Sequence, residues 1–409
     1  MLLHPQFRKL YTAQVVALVG TGLLTVALGL LAYNLAGADA GAVLGTALAI
    51  KMIAYVAVAP IISALAHRLP RRVVLVSADV VRASIALLLP FVTQTWEIYV
   101  LIALLQSASA TFTPAFQSLI PAILDDEEDY TRGLSLSRMA YDGEALVSPI
   151  LAAALLTVIS FNLLFVGTAA GFVASALLVV TTRLPQLPIP ERAAPLWHRI
   201  TEGARFMAER PVLRSLLAMN MVVAAPTALV IVNTVVYVRD RLGGSNTEVA
   251  LALACFGFGS MIVALVAPRL LRILPDRRVM LTGCVVLPIG LLVAAVVPEL
   301  GSAPGGALLA VSWAGLGAGT SLINTPSARL LRAQTEPAAR PAVFTAQFSL
   351  SHACFLVTYP IAGRLGVLAG LPTTAVALAA LATLAGAMAA RMWPASVPSG
   401  IETAVSAGR

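Results

Sequence analysis

The amino-acid sequence predicts an all-α membrane protein with about twelve transmembrane helices in two pseudo-symmetric bundles of six. The chain has 409 residues, of which 59% are hydrophobic and only 11% are charged, whereas soluble chains carry about 25% charged residues. Several apolar runs are near the length of about 20 residues that a helix needs to cross a hydrocarbon core. A basic turn at residues 63–75 joins two such runs, and its end is repeated at residues 276–281 in the second half.

The spacing of the apolar runs predicts six spans in each half. In the first half they cover residues 8–34, 40–66, 73–92, 96–120, 134–158 and 161–181, with an acidic loop at residues 124–130. In the second half they cover residues 212–238, 249–270, 279–297, 307–331, 342–368 and 373–392. The predicted domains are therefore a bundle at residues 1–182, a linker at residues 183–211, a bundle at residues 212–393 and a disordered cytoplasmic tail at residues 394–409.

The linker is marked by its composition. Four prolines precede a stretch in which apolar residues share one helical face, namely Trp197, Ile200, Ala204 and Met207. Charged residues occupy the rest of that stretch, so we expect an amphipathic helix lying on the cytoplasmic membrane surface.

The distribution of basic residues predicts the orientation. Most arginines fall at the span ends on one side of the predicted topology, so both termini are expected in the cytoplasm of a cell-membrane protein. The formal net charge of +8 is explained by attraction to anionic lipid and not by nucleic acid. The three cysteines lie in apolar runs without metal-ligand spacing. We expect no cofactor, no metal site and a monomer in the lipid bilayer.

An internal repeat supports the two-bundle prediction. Arg8, Leu10 and Gln14 match Arg214, Leu216 and Asn220 at one constant offset. Residues 71–75 match residues 277–281 at the same offset. Two parallel six-helix repeats imply a pseudo-twofold axis along the membrane normal, as in secondary transporters that bind substrate near the midplane.

The chain resembles the major facilitator superfamily over its whole length. That family's turn between spans two and three reads Gly-x-x-x-Asp-Arg-x-Gly-Arg-Arg, and Arg68, Arg71 and Arg72 match it, with His67 in place of the aspartate. Segments 112–121 and 202–214 resemble the exporter branch that contains enterobactin exporters and nickel-resistance permeases. The tail lacks the histidines common in nickel-resistance relatives. The fourth-span Arg-x-x-Gln-Gly of drug antiporters appears here as Ala-Leu-Leu-Gln-Ser at residues 103–107, so proton coupling would use other residues.

Two ionisable residues lie deep in predicted spans. Lys51 is about eleven positions, or roughly 16 Å, into the second span, where a charge is costly and usually functional. His352 lies at similar depth in the eleventh span. The resemblance implies that helices two and eleven pack together, and we hypothesise that His352 accepts a proton while Lys51 modulates its charge. A structurally paired lysine and a hydrogen-bonded core histidine are the alternatives.

Further charged residues lie near the predicted cytoplasmic mouth. Asp142 and Glu144 are candidates for proton coupling, and Asp142 can pair with Arg138 four residues earlier. Asp79 and Arg82 can pair in the third span. The predicted cytoplasmic gate is His67, Arg68, Arg71, Arg72, Asp79, Arg82, Arg138, Arg277 and Arg278.

In the family, helices one, four, seven and ten line the substrate cavity. Their polar residues here are Gln14, Thr21, Thr25, Gln106, Thr111, Asn220, Thr227, Asn233, Trp313 and Asn324. Singly, most of these are expected to join helices through hydrogen bonds. As a set, they predict a mainly apolar cavity for a small amphipathic or hydrophobic molecule.

The leading functional prediction is a secondary exporter driven by proton entry. The chain has no Walker-type phosphate-binding motif. Alternatives are a metal-ion or siderophore exporter, an importer of a metabolite, and a membrane-embedded enzyme. The enzyme alternative rests on the acidic residues 125–129, and the equivalent loop at residues 333–340 has only Glu336.

Overall fold

The computed structural model describes residues 5–55, 70–117, 119–124, 127–184, 196–336 and 339–394. The fold is all-α across these ranges, as the sequence predicts. The long helices of the first half are α1 (Pro5–Ala36), α2 (Ala40–Ile53), α3 (Arg71–Leu88), α4 (Thr95–Gln117), α5 (Glu127–Leu156) and α6 (Phe161–Val180). Those of the second half are α7 (Pro211–Val235), α8 (Asn246–Ile273), α9 (Asp276–Val296), α10 (Ser302–Ala333), α11 (Arg340–Pro360) and α12 (Gly366–Met392). A linker helix, Leu196–Glu209, separates the halves.

Eight helical segments within the described ranges are long and apolar enough to cross a membrane, and two of them, Pro5–Ile53 and Ala342–Met392, each contain two of the helices named above. Consecutive helices run in opposite directions, so α1 begins and α12 ends at the same face of the bundle. We call this the terminal face and the opposite one the distal face.

The acidic loop predicted at residues 124–130 is shorter than expected. Helix α5 begins at Glu127, so the acidic residues from position 127 onward belong to its first turn. Periodicity missed this turn because its residues are not apolar.

The predicted linker helix is present, and it packs on protein. Met207 is fully buried, and Gly203 lies so close to α11 that an added Cβ would be 2.1 Å from the Ala342 carbonyl oxygen. Only a glycine permits that approach. The apolar face predicted to meet lipid therefore covers the start of α11.

The two halves repeat one hydrogen-bonded contact. In the first half, Gln14 of α1 exchanges hydrogen bonds with Ser137 of α5, at 2.7 and 2.9 Å. In the second half, Asn220 of α7 exchanges hydrogen bonds with Gln347 of α11, at 3.2 and 2.7 Å. Polar groups buried between membrane helices need such partners. The equivalent helix pair is joined in the same way in each bundle, which supports the pseudo-symmetry read from the sequence.

A buried ion pair joins three helices of the first half. Arg82 donates to Asp79 within α3, and both side chains are buried. The Arg82 guanidinium lies 4.3 Å from the ring centroid of Phe112 in α4 and 4.5 Å from that of Phe172 in α6. These contacts lie inside one bundle, where they stabilise its packing. The role of the pair in a cytoplasmic gate stays a prediction.

The Asp79–Arg82 pair gives a direct test of this packing. Replacing Arg82→Ala leaves a buried carboxylate without its partner, which costs about 3–5 kcal/mol. We expect the thermal unfolding midpoint of the detergent-purified protein to fall by about 5–10 °C. Arg205→Ala, which removes a guanidinium whose side chain is 83% exposed, is the control and should leave the midpoint unchanged. Equal midpoints for the two variants would contradict a structural role for the pair.

Candidate functional site

Helix α2 meets the end of α11 and the segment Ile361–Leu365 that follows it along a row of glycines near the distal face. We call this row the glycine seam: Gly41, Gly45 and Gly363. A Cβ added at Gly45 would be 2.6 Å from the Tyr359 carbonyl oxygen, and one at Gly363 would be 2.4 Å from the Gly41 carbonyl oxygen. Real Cβ atoms do not approach so closely, so side chains are excluded. The seam brings the two bundles into backbone contact.

Other contacts extend this closure across the distal face. Arg239, just beyond α7, lies 5.4 Å from the ring centroid of Tyr33 in α1. Asn233 of α7 donates a hydrogen bond to the Ala362 carbonyl at 3.0 Å, and its amide oxygen lies 2.7 Å from the position a Gly41 Cβ would take. The first and second halves are therefore closed against each other at the distal face.

Below the seam, three ionisable side chains from different helices lie together. We call them the Lys51 cluster: Lys51 of α2, Glu144 of α5 and His352 of α11. Lys51 acts electrostatically on Glu144 and on His352. From the helix bounds and a rise of 1.5 Å per residue, Lys51 and Glu144 lie about 16–18 Å from the distal ends of their helices. The cluster is therefore near the middle of the bundle.

His352 is fixed in orientation by its own helix and by aromatic rings. Its Nδ1 lies 2.7 Å from the Phe348 carbonyl oxygen, which can only accept, so Nδ1 carries the proton. This leaves Nε2 as the nitrogen that can take up a second proton. The centroid of the ring lies 4.0 Å from that of Phe348, and Tyr55, two residues beyond the end of α2, stacks on it with the centroids 5.9 Å apart. Both bundles thus supply groups around this imidazole.

Glu144 lies against α1. A Cβ built at Gly22 would be 3.2 Å from Glu144 Oε1 and 2.1 Å from Ser148 Cβ. The missing side chain at Gly22 therefore makes room for α5 and for the carboxylate. The carboxylate comes from the first half, as does Lys51, whereas the histidine comes from the second.

The Lys51 cluster can exchange protons without a metal or cofactor. A carboxylate, an ammonium and an imidazole each bind or release a proton, and in a low-dielectric interior the charge of one changes the energy of the others. Within the described ranges, no three His, Cys, Asp or Glu side chains are grouped so that they could hold a metal ion.

Comparison with known families decides what kind of protein carries this site. The sequence profile of the Major Facilitator Superfamily matches residues 10–237 and residues 216–404. The chain belongs to the Major Facilitator Superfamily.

Curated relatives within the superfamily are distant. The uncharacterized MFS-type transporter YfiS of Bacillus subtilis strain 168 is 22% identical over 214 residues, which is 51% of each chain. Macrolide efflux protein A of Streptococcus pyogenes is 25% identical over 187 residues, or 44% of this chain and 45% of the relative. The chain thus spans about half the length of the curated relatives it matches. The enterobactin and nickel branch suggested by segments 112–121 and 202–214 is not among these relatives.

Solved transporter structures share the whole fold. The nucleoside transporter NupG superposes with a TM-score of 0.71 at 14% identity, covering 96% of this chain and 100% of that one. A bacterial homologue of the human lysosomal transporter Spinster, in an inward-facing and unoccupied conformation, superposes with a TM-score of 0.72 at 14% identity, covering 95% and 98%. These likenesses support the major facilitator fold predicted from the sequence.

The predicted cavity residues separate into two groups. Gln14, Asn220 and Asn233 are engaged by other helix segments, as described above. Trp313 is also fully buried, and its indole N–H donates to Thr234 at 2.7 Å. Packing and this hydrogen bond hold Trp313 inside the second bundle, and its place in the substrate cavity stays a prediction.

The side chains of the remaining cavity candidates are less constrained by contacts with other helices. The hydroxyls of four threonines donate to carbonyls of their own helices, and these residues are Thr21, Thr25, Thr111 and Thr227. Gln106 is buried, and Asn324 is exposed on α10. An exposed amide on a membrane helix is costly against lipid and suits a water-filled or ligand-filled space.

The predicted gate is only partly visible. His67 and Arg68 lie outside the described residues, as do the side chains of Arg138 and Asp142. Arg72 donates to the Thr182 carbonyl at 2.7 Å, which ties the start of α3 to the end of α6. Arg71, Arg277 and Arg278 lie at the starts of α3 and α9 at the terminal face.

Sequence reasoning missed two features of the site. Asp276 of α9 pairs with Arg329 of α10 at the terminal face, although Asp276 stood inside a repeated motif. Tyr55, which stacks on His352, carried no signal beyond being an aromatic residue four positions after Lys51. The helical spacing of Lys51 and Tyr55 would place both on one face, and this signal could have revealed the pair.

A larger side chain in the glycine seam should change how the two halves meet at the distal face. Gly45→Val should force α2 and α11 apart and increase the distal-face separation between the halves. Spin labels on Gln94→Cys and Ser302→Cys, with the three native cysteines replaced, report this separation by double electron–electron resonance. Gly315→Val is the matched control, because nothing lies within 4 Å of a Cβ built there. Identical distance distributions for the two variants would contradict the role of the seam.

Proposed function

We propose that the chain is a secondary active transporter that exports a small amphipathic or hydrophobic compound in exchange for protons. The observation that carries the proposal is the Lys51 cluster, in which Glu144 and Lys51 of one bundle lie beside His352 of the other. Charged groups at this depth are costly unless they are compensated. Their protonation therefore changes the energy of contact between the two bundles.

The proposed coupling between proton uptake and conformational change follows from how the charge of Lys51 is compensated. With Glu144 ionised, Lys51 has its counter-ion inside the first bundle. When Glu144 takes up a proton, the charge on Lys51 loses that counter-ion, and His352 beside it becomes harder to protonate. Conformations that give the cluster access to water are then favoured over conformations that bury it. One proton moves with each cycle of opening and closing if the opened cluster releases it to the other side.

The substrate class is proposed from two sources. The polar cavity candidates that remain, Thr21, Thr25 and Asn324 among them, include no fixed charge, which suits an uncharged or weakly charged amphipathic molecule. The matched segment of macrolide efflux protein A belongs to a protein named for the efflux of macrolides. A metal-ion exporter is less well supported, since the described residues offer no cluster of metal-binding side chains.

The proposed orientation places the terminal face in the cytoplasm of the cell membrane. The terminal face carries Arg71, Arg72, Arg277 and Arg278, as the positive-inside bias requires. With the distal face closed, the described conformation would then be open toward the cytoplasm. The proposed working unit is a single chain.

Glu144→Gln should uncouple transport from the proton gradient. Glutamine keeps the shape of the protonated carboxyl and cannot release a proton. In proteoliposomes we expect efflux driven by an imposed pH gradient to fall on the order of tenfold or more, while exchange of labelled for unlabelled substrate across the membrane persists. A lipophilic cation or a macrolide serves as the probe.

Glu209→Gln is the matched control, since that carboxylate is 64% exposed on the linker helix. It should leave both activities unchanged. Gradient-driven efflux by Glu144→Gln at the rate of the unsubstituted protein would contradict the coupling role.

His352→Ala should change the pH dependence of transport. The groups facing His352 are Lys51 of α2, Tyr55 just beyond α2 and, through Lys51, Glu144 of α5. Removing the imidazole deletes one of the proton-binding groups of the cluster. We expect the rate of efflux to vary less over a range of about pH 5 to 8 than in the unsubstituted protein. A pH profile that is unchanged in shape would remove His352 from the mechanism.

A further inference from the structure

A cavity lies at the terminal face, away from the Lys51 cluster. It has a volume of about 610 Å³ and lies at the end of α10 and the starts of α7 and α11. Four arginines line it, and we call it the arginine pocket: Arg210, Arg329, Arg332 and Arg340, with Thr335 between them. Among the described residues that line it, Glu336 is the one carboxylate. The lining therefore carries a formal excess of three positive charges, four arginines less one glutamate.

Contacts with neighbouring residues hold arginines of the pocket in place and leave some of their N–H groups available to a ligand. Arg210 stacks 3.5 Å from the ring centroid of Phe206, which fixes the guanidinium plane and leaves its edge for hydrogen bonds. Arg340 donates from Nε to the Thr335 carbonyl at 3.3 Å, so its terminal nitrogens remain. Arg329 pairs with Asp276. Among the described residues Arg210, Arg332 and Arg340 form no ion pair.

Thr335 provides a second observation that points to a ligand. This residue is only 3% exposed, and its hydroxyl is buried with no hydrogen-bond partner in the described part of the chain. An unpaired buried hydroxyl is energetically unfavourable. A ligand that enters the pocket and offers this hydroxyl an acceptor oxygen would remove the penalty.

Two helix N-termini add to the positive field. Arg210 is the N-cap of α7, and α11 begins at Arg340. Helix N-termini favour anions because their partial charge is positive. Guanidinium groups with a hydroxyl and helix N-termini are the set that binds a phosphate group.

We propose that the arginine pocket binds a phosphate ester, and its place at the membrane face favours the headgroup of an anionic phospholipid. Basic pockets between the ends of membrane helices are suited to such headgroups. All lining residues belong to the second bundle and the end of the linker. Ligand binding therefore ties α7, α10 and α11 together within one bundle, and it does not depend on the proposed transport activity.

The test titrates detergent-purified protein with short-chain phosphatidylglycerol and follows the thermal unfolding midpoint, which rises with any ligand that prefers the folded state. Phosphatidylcholine of the same chain length controls for acyl-chain binding. Inorganic phosphate and glycerol 1-phosphate form the arm that detects a soluble source. We expect the midpoint to rise with phosphatidylglycerol and not with phosphatidylcholine. A rise with the soluble phosphates alone would support the same site with a soluble ligand.

The variants assign the effect to the pocket. Arg332→Ala should raise the half-effective ligand concentration by about tenfold or more, and Thr335→Val should raise it by a smaller factor. Arg332→Lys should recover part of the loss, because the charge is kept but not the forked geometry. Arg205→Ala, on the exposed side of the linker helix, should bind as the unsubstituted protein does.

Midpoints measured without ligand show whether each variant is folded, and Thr335→Val replaces one side chain by another of similar shape if Arg332→Ala proves unstable. The proposal is overturned if neither phosphatidylglycerol nor a soluble phosphate shifts the midpoint. It is also overturned if Arg332→Ala and Thr335→Val have the same half-effective ligand concentration as Arg205→Ala.

Discussion

An ionised side chain in the middle of a membrane bundle must have a partner, and this requirement organises the structure described here. Lys51 acts on Glu144 within the first bundle and on His352 of the second. Losing one member of such a set leaves an uncompensated charge that costs several kcal/mol. The position of one bundle against the other and the protonation of the cluster are therefore not independent quantities.

Close backbone packing complements this electrostatic link. Gly41, Gly45 and Gly363 allow α2 and α11 to touch near the distal face, and the same two helices carry Lys51 and His352 toward the middle. A change in the angle between α2 and α11 would move the cluster while the seam opens or closes. The pair of helices thus combines a contact that excludes side chains with one that depends on charge, which suits an alternating-access transporter.

The fold could be predicted from the sequence because apolar runs, basic turns and the repeated Gln14 and Asn220 positions are all one-dimensional signals. The depth of Lys51 and His352 in their spans could also be predicted, since an ionisable residue inside an apolar run is rare, whereas their role in proton coupling stays a prediction. The glycine seam could not be predicted, because the sequence does not show which backbone segment packs against each glycine. Trp313 and the Asp79–Arg82 pair were assigned by residue type, and only packing shows that they stabilise the bundles from within.

Sequence analysis attributed the basic residues of the terminal face to attraction by anionic lipid alone. The structure divides that signal into an interhelical pair, Asp276 with Arg329, a link from Arg72 to α6, and the arginine pocket. Spacing along the chain could not group Arg210 with Arg332 and Arg340, because 122 positions separate Arg210 from Arg332. Only the packing of helix ends brings them together.

The central claim is that protonation of the Lys51 cluster changes how the two bundles meet, and it can be tested without knowing the substrate. The distribution of distances between labels at Gln94 and Ser302 is measured at pH 5.5 and pH 8.5, in the unsubstituted protein and in Glu144→Gln. The account predicts that the distribution shifts with pH in the unsubstituted protein and is nearly constant in Glu144→Gln. The same shift in both proteins, or no shift in either, would contradict it.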